Sequence, residues 1–346
     1  MRKTLFFTLP LLATSLFASA HAADLRVVTH SSFNLDKKLL AKFEQENDVK
    51  LQLIKAGDAG EMVSKLILTR NAPIADVVYG IDNTLLSRAL TADLLAPYQS
   101  AALKNVPKKY LLNGAFNPVD YGHVALNIDK AFFQKNKLAL PRTLGDLLKP
   151  EYKNLLVVEN PATSSPGLAF LLATIKELGE KGAYSFWAGL RDNGVKVSKG
   201  WEDAYYTEFS RNGGSRPIVV SYSSSPAAEV FYAEKKPKTS PTANLFLPGS
   251  SFLQIEGAAL IKGGKNVDLA KKFIDFLLSK EAQTDIPTQM WVYPVAQGIK
   301  LDPTYRYAGT PVYTKTLTPA EIAAGQQKWV ENWTKVVLRN ADLKDL

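Results

Sequence analysis

From Asp24 onward the chain switches between short β-branched runs and segments of helical periodicity. Residues 25–29 (Leu-Arg-Val-Val-Thr) predict a strand, residues 35–46 a helix with Leu39, Leu40 and Phe43 on one face, and residues 49–54 a second, alternating strand. A helix over 59–68, a strand over 74–79 and a helix starting near Asp82 follow. Such alternation of strand and helix argues for a mostly parallel sheet covered by helices. In that architecture ligands sit beyond the carboxyl ends of the strands, where this chain has the polar turns His30-Ser31-Ser32 and Gly80-Ile81-Asp82-Asn83.

The middle of the chain repeats the theme. Leu155-Leu156-Val157-Val158 runs into Asn160 and the hydroxyl turn Thr163-Ser164-Ser165-Pro166-Gly167, then a helix through Leu178. Ile218-Val219-Val220 runs into Ser221-Tyr222-Ser223-Ser224-Ser225-Pro226 and another helix. No repeat at solenoid spacing is present. Residues 120–128 and 253–261 read as strands that pass between two lobes, and 319–337 as a C-terminal helix. The expected fold is therefore α/β and two-lobed, with mixed, mostly parallel sheets, helices on both faces and a cleft between the lobes. Lobe 1 is expected over 23–119 plus 252–298, and lobe 2 over 120–251 plus 299–346.

Composition narrows the function classes. The 346 residues are 46% hydrophobic and 22% charged, with no cysteine and a formal charge of +9. That is an ordinary globular composition, roughly two domains long at ~100–200 residues each. Without cysteine, disulfide frameworks, zinc ribbons, iron–sulfur clusters and thiol catalysis are out. Arg2 and Lys3, the mostly apolar stretch 4–17, and Ala20-His21-Ala22 read as a secretory signal cleaved near Ala22, occupying residues 1–22. With no cysteine to carry lipid, the expected location is the periplasm. The lysines are scattered, as in Lys135-Asn136-Lys137 and Lys235-Lys236-Pro237-Lys238, and are expected as solvated surface rather than a nucleic-acid footprint.

Enzyme signatures are missing: no G-x-S-x-G elbow, phosphate loop, G-x-G-x-x-G fingerprint or H-E-x-x-H. The histidines are His21, His30 and His123, so a secreted hydrolase using His30 or His123 is the weakest of the readings kept open. The turns offer uncharged hydrogen bonding and aromatic surface instead. Thr163 to Gly167 suits a phosphate or carboxylate at a helix start, and equally a plain helix cap. Trp201, after Lys199-Gly200, and Trp291, between Pro287 and Pro294, suit either packing or stacking on a flat, cationic ligand. Asp82 suits a helix N-cap or the balancing of a ligand cation.

These residues resemble the periplasmic thiamine-binding proteins of ABC importers, type II solute-binding proteins related in fold to ferric-ion and maltose binders. The matching stretches are Asp76-Val-Val-Tyr-Gly-Ile-Asp-Asn83, Thr163-Ser-Ser-Pro-Gly-Leu168, Lys199-Gly-Trp-Glu-Asp-Ala-Tyr205, Ser221-Tyr-Ser-Ser-Ser-Pro-Ala227, and Ile286-Pro-Thr288 through Trp291 to Tyr293-Pro-Val295. The resemblance implies thiamine, thiamine monophosphate or thiamine pyrophosphate held between the lobes. It implies Trp201, Tyr222 and Trp291 as aromatic walls, and Asp82 with Asn83 at the amino or cationic portion. Thr163, Ser164 and Ser165 fall at the phosphate end, and His30 and Ser32 at the first strand end. A membrane permease with its ATPase would be the partner, and the receptor a monomer with no cofactor, metal or catalytic residue.

Departures from the family pattern are His30-Ser31-Ser32-Phe33 in place of Tyr-Asp-Ser-Phe, no tryptophan near Asp36, Ala228 for a tyrosine and Ala162 for an arginine. They make the pocket less aromatic and less cationic than the pattern implies. A ferric-ion or other cationic ligand on the same fold is the second reading, because Tyr205-Tyr206 and Tyr222 are oxygen ligands suited to a hard cation.

Overall fold

The computed structural model describes residues 23–312 and 316–346; the secretory signal expected over 1–22 lies outside them. The chain opens with β1 (Ala23–Thr29), α1 (Lys37–Asn47), β2 (Val49–Lys55), α2 (Ala59–Leu68), β3 (Val77–Asp82), α3 (Leu86–Thr91) and the short β4 (Leu95–Ala96). Local chemistry sets these boundaries. Asp36 and Asp58 cap α1 and α2 with their carboxylates, and Asp48 ends α1 in the left-handed region. Strand β3 continues through Asp82, and the helix expected near that residue starts at Leu86. The reason is the Asp82 carboxylate, which accepts the backbone amides of Thr84 and Leu85 (both 3.0 Å) and so holds a turn ahead of the helix.

Next come β5 (Asn117–Asp129), α4 (Lys130–Asn136), β6 (Leu156–Glu159) and α5 (Ser165–Asp192). Gly179, at φ +69°, interrupts α5 one residue beyond the predicted helix end at Leu178. Then follow β7 (Lys196–Ser198), β8 (Ile218–Tyr222), α6 (Ser225–Phe231), β9 (Thr242–Leu245), β10 (Phe252–Ile261), α7 (Val267–Leu277), α8 (Lys280–Gln289), β11 (Tyr293–Pro294) and α9 (Pro319–Trp333). A single wide turn over Asp203–Glu208 follows Trp201.

The strands form one sheet in the order β2-β1-β3-β10-β5-β8-β6-β7, with β4, β9 and β11 added at the sides. Its flanks are parallel: β1 pairs with β2 and β3, and β6 with β7 and β8. Its centre is antiparallel, because the two long strands β5 and β10 cross from one half to the other and pair with β3, β8 and each other. These are the two crossing strands the sequence predicts. Each flank is a covered α/β unit, giving the two-lobed fold of periplasmic binding proteins. The apolar faces of β5 and β10 run through both halves, so the buried side chains join into one contiguous core. A small satellite of Val157, Ala204, Tyr205, Phe209 and Val219 lies beneath Trp201.

Helix α9 begins with a capping box between Thr318 and Glu321. It touches both halves: Ser87, on α3, reaches Gln326, and Lys176, on α5, pairs with Glu321 at 2.9 Å. No helix among the described residues is long and apolar enough to cross a membrane.

Candidate functional site

The strand ends converge on a cavity of about 620 Å³ between the two halves, within the range of small-molecule sites. His30, Ser32, Ser165, Trp201, Tyr222 and Trp291 all line it. Asp82, Asn83, Thr163 and Ser164 do not reach the lining.

His30 follows β1 directly. Its Nε2 sits 3.2 Å from Glu256 Oε1, and its ring lies 5.7 Å from that of Tyr79. Gly80, at φ +107°, is needed here, because a Cβ would come 2.5 Å from the His30 ring. Burial opposes protonation of His30, but the charge and hydrogen bond of Glu256 outweigh it and leave the imidazole pKa raised. Ser32 donates to Glu202 at 3.2 Å.

The aromatic wall comes from separate elements. Trp201 stacks on Tyr205 (5.2 Å, 20°), meets Tyr222 edge-on (6.4 Å, 64°), and donates its indole N–H to Ser221 Oγ at 2.8 Å. Tyr222 ends β8 with its ring over Gly122 of β5. Trp291 takes a left-handed backbone (φ 59°), uncommon for a bulky residue. It is held there by stacking on Tyr305 (5.6 Å, 16°), by the Ser224 hydroxyl on its carbonyl oxygen, and by donation of its indole N–H to Tyr232. Burial, then the charge of Glu256, raises the Tyr222 phenol well above its ordinary range, so it stands as a neutral hydroxyl.

The floor is acidic. Glu256 projects from β10 and Asp120 from β5, where Tyr79 donates its hydroxyl to Asp120. Burial, then the charge of Glu256, pushes the Asp120 carboxyl well up. Just behind, fully buried Asp82 accepts from Thr84, Leu85 and the Gln254 amide, and Gln254 Nε2 also lies 3.0 Å from Ser165 Oγ. Burial pushes Asp82 up to about 6 against those hydrogen bonds. Asp82 therefore reaches the cavity through Gln254. Asn83 is absorbed by β10, donating to the Leu253 carbonyl and accepting the Ile255 amide, both at 3.0 Å. Thr163 donates to the Lys199 carbonyl at 2.5 Å, and Ser164 is buried beneath the α5 start.

At one rim the halves touch directly. Asp58 Oδ2 accepts the Trp201 amide (2.9 Å), the Thr163 carbonyl accepts the Glu61 amide (2.9 Å), and Lys199 pairs with Glu61 (3.0 Å). Gly60 permits this approach, since a Cβ there would lie 2.7 Å from the Thr163 carbonyl carbon.

Sequence reasoning missed Glu256, Asp120, Gln254 and Asp58. A signal was available for the first three: they are polar or acidic positions inside the two strands predicted to cross between lobes, where a charge needs a partner or a purpose. Asp58 reads in sequence only as a helix cap. As a whole the cavity offers flat aromatic faces over an acidic floor, an arrangement chemically able to hold a planar cation. His123 lies outside its lining, and His30 is paired with Glu256.

A family model described as bacterial extracellular solute-binding protein matches residues 72–309. The thiamine-binding periplasmic protein of Escherichia coli strain K12 is 35% identical over 321 residues, 91% of this chain and 94% of the relative. The chain belongs to the bacterial extracellular solute-binding protein family. This solute-binding protein is also 30% identical to a thiamine-binding periplasmic protein of Brucella suis, over 96% of its own length and 99% of the relative's. A solved periplasmic thiamin binding protein superposes with a TM-score of 0.80 at 33% identity, covering 91% of this chain and 96% of that one. A ferric binding protein from Campylobacter jejuni shares the fold at a TM-score of 0.72 and 23% identity.

Proposed function

We propose that this solute-binding protein captures thiamine or a phosphate ester of thiamine in the periplasm and delivers it to an ABC importer, a permease with its ATPase, without chemistry on the ligand. The observation that carries the reading is the pairing of Trp201, Tyr222 and Trp291 with the Glu256 floor, which suits a planar ring system bearing a positive charge. Thiamine-binding relatives over nearly the full length support it. In this reading His30, Ser32, Ser165 and the three aromatic rings touch the ligand, while Asp82, Asn83, Thr163 and Ser164 hold the wall from behind. Lobe 1 (23–119 with 252–298) and lobe 2 (120–251 with 299–346) act as the moving units, hinged at β5 and β10, and close over the ligand as a monomer.

The test is titration of purified protein with thiamine, followed by tryptophan fluorescence and calorimetry. A saturable response with one site is expected; no response and no heat at submillimolar thiamine removes the reading. The ferric alternative is weaker, because Tyr205 is already spent donating to Glu229 (2.8 Å) and supporting Trp201. A phenolate-to-iron absorption band on adding ferric citrate would revive it.

A further inference from the structure

We infer that the cavity selects the unphosphorylated, cationic form of its ligand and discriminates against the pyrophosphate ester. The inference rests on the thiamine reading above and deepens it.

Charge on the wall is the first observation. Asp58, Asp120, Glu202, Glu229 and Glu256 line the cavity. The cations in the lining besides His30 are Lys55 and Arg211. Arg211 is already spent, its Nε lying 3.0 Å from Glu229 Oε2. Lys55 is left to face the remaining carboxylates. With Asp120 set aside because its carboxyl is pushed well up, and His30 counted with the cations because its pKa is raised, Asp58, Glu202, Glu229 and Glu256 still outnumber Lys55, Arg211 and His30 by four to three. A phosphoryl group brings about −1.5 to −2, and a pyrophosphate more, whereas the unphosphorylated ligand carries a positive ring.

The space into which a tail would extend is the second observation. A smaller recess of about 120 Å³ adjoins the cavity at the rim, lined by Asp58, Glu61, Glu202 and Asp203 against two cationic groups, Lys199 and His30. Lys199 is paired with Glu61 at 3.0 Å, so the recess is acidic too.

The α5 start, expected from sequence to seat a phosphate, is the third. The donors of the turn leading into it are spent internally. Ala162 N–H bonds Asn160 Oδ1 (2.9 Å), Thr163 and Ser164 N–H bond the Asn160 carbonyl (3.1 and 2.9 Å), and Thr163 Oγ1 is turned to Lys199. Ser165 Oγ lies within 3.0 Å of the Gln254 amide, and Pro166 has no N–H to give. Gly167 is pressed against the Glu159 carbonyl, where a Cβ could not fit, so the fully buried Glu159 side chain lies directly beneath this helix start. The helix start thus packs closely on the end of β6, which narrows the room for an anion there.

The experiment is calorimetric titration with thiamine and thiamine pyrophosphate, with EDTA present so that no divalent cation masks the pyrophosphate. It is run at ~0.01 M and ~1 M salt, between which the screening length falls from ~30 to ~3 Å, on the wild type and on Glu202→Lys and Glu202→Gln. Thiamine is expected to bind at least about tenfold more tightly at low salt. That ratio should shrink at high salt and in Glu202→Lys, with Glu202→Gln between. Equal or tighter binding of the pyrophosphate overturns the inference while leaving the thiamine reading intact, as does a preference that neither salt nor Glu202→Lys changes. If neither compound binds, the thiamine reading itself fails and takes the inference with it.

Discussion

The segment Gly80-Ile81-Asp82-Asn83 and the segment from Tyr222 to Pro226 look alike in sequence: each lies at the end of a buried strand and carries hydrogen-bonding side chains. They end in opposite situations. Beyond β3, the antiparallel strand β10 runs alongside, and its Leu253, Gln254 and Ile255 take up Asp82 and Asn83 completely. Beyond β8, the neighbouring β5 contributes Gly122, which leaves room for the Tyr222 ring at the cavity wall. A strand passes beside both ends, so a polar strand end is free for a ligand where that neighbour presents a glycine and is consumed where it presents hydrogen-bonding groups. Hydrogen-bonding capacity is local, but its availability is set by what lies next to it.

Removing Asp82 should produce the largest effect. Asp82→Ala strands the Thr84 and Leu85 amides and the Gln254 amide in a buried place, and is expected to cost about 2–4 kcal/mol, read as a lower urea midpoint. Ser225→Ala in the second turn should cost under about 1 kcal/mol. If the two cost the same, the contrast between the turns collapses.

Trp201→Ala should leave the fold in place and weaken thiamine binding by about tenfold, consistent with ~0.5–2 kcal/mol for a ring facing a cation. Calorimetry at fixed salt measures it, and Asp82→Asn serves as the opposite case, moving stability more than affinity.

Gly60→Ala tests the direct contact between halves. Its new methyl meets the Thr163 backbone, and overpacking of this kind costs about 1–3 kcal/mol. The closed arrangement should be disfavoured, giving a severalfold loss of affinity and a larger radius of gyration for the ligand-bound protein by X-ray scattering.

The smallest effect is on pH dependence through His30. The groups facing it are Glu256, Asp58, Lys55 and Tyr79, and the net result is a folded pKa above the ordinary 6.5. A raised histidine pKa contributes stability that is full below the unfolded value and lost as pH rises through the folded one. Ligand affinity should run the other way: protonated His30 offsets Glu256 and repels a cation, so thiamine binding should tighten as pH rises above 6.5. His30→Gln should flatten both profiles in parallel urea and calorimetric series.

Much of this architecture is legible along the chain. The β1 to β3 alternation and the crossing strands β5 and β10 follow from hydrophobic period, the α5 start from the proline in its first turn, and the C-terminal helix from its capping box. The short strands β4, β9 and β11 are not legible, since segments of two to four residues carry no period. Of the site, Trp201, Tyr222 and Trp291 stand out because large aromatics beside glycine and proline are conspicuous. Glu256 and Asp120 stand out less: an acid inside a crossing strand signals that it needs a partner or a purpose, but which of the two is decided only when another element brings it to a cavity.

The sequence by itself determined most of the longer strands and helices, the polar turns between them, and which side chains are available there, since those depend on neighbours a few residues away. Only the tertiary structure decided which of those side chains meet solvent in a shared space. It gathered Glu256 and Asp120 on the floor and Asp58 at the rim of a cavity walled by rings from segments 90 residues apart in the case of Trp201 and Trp291, and it closed Asp82, Asn83, Thr163 and Ser164 away from the lining. The physical reason is that every buried donor and acceptor must find a partner, and the passing strand or helix that supplies it cannot be read from the turn itself.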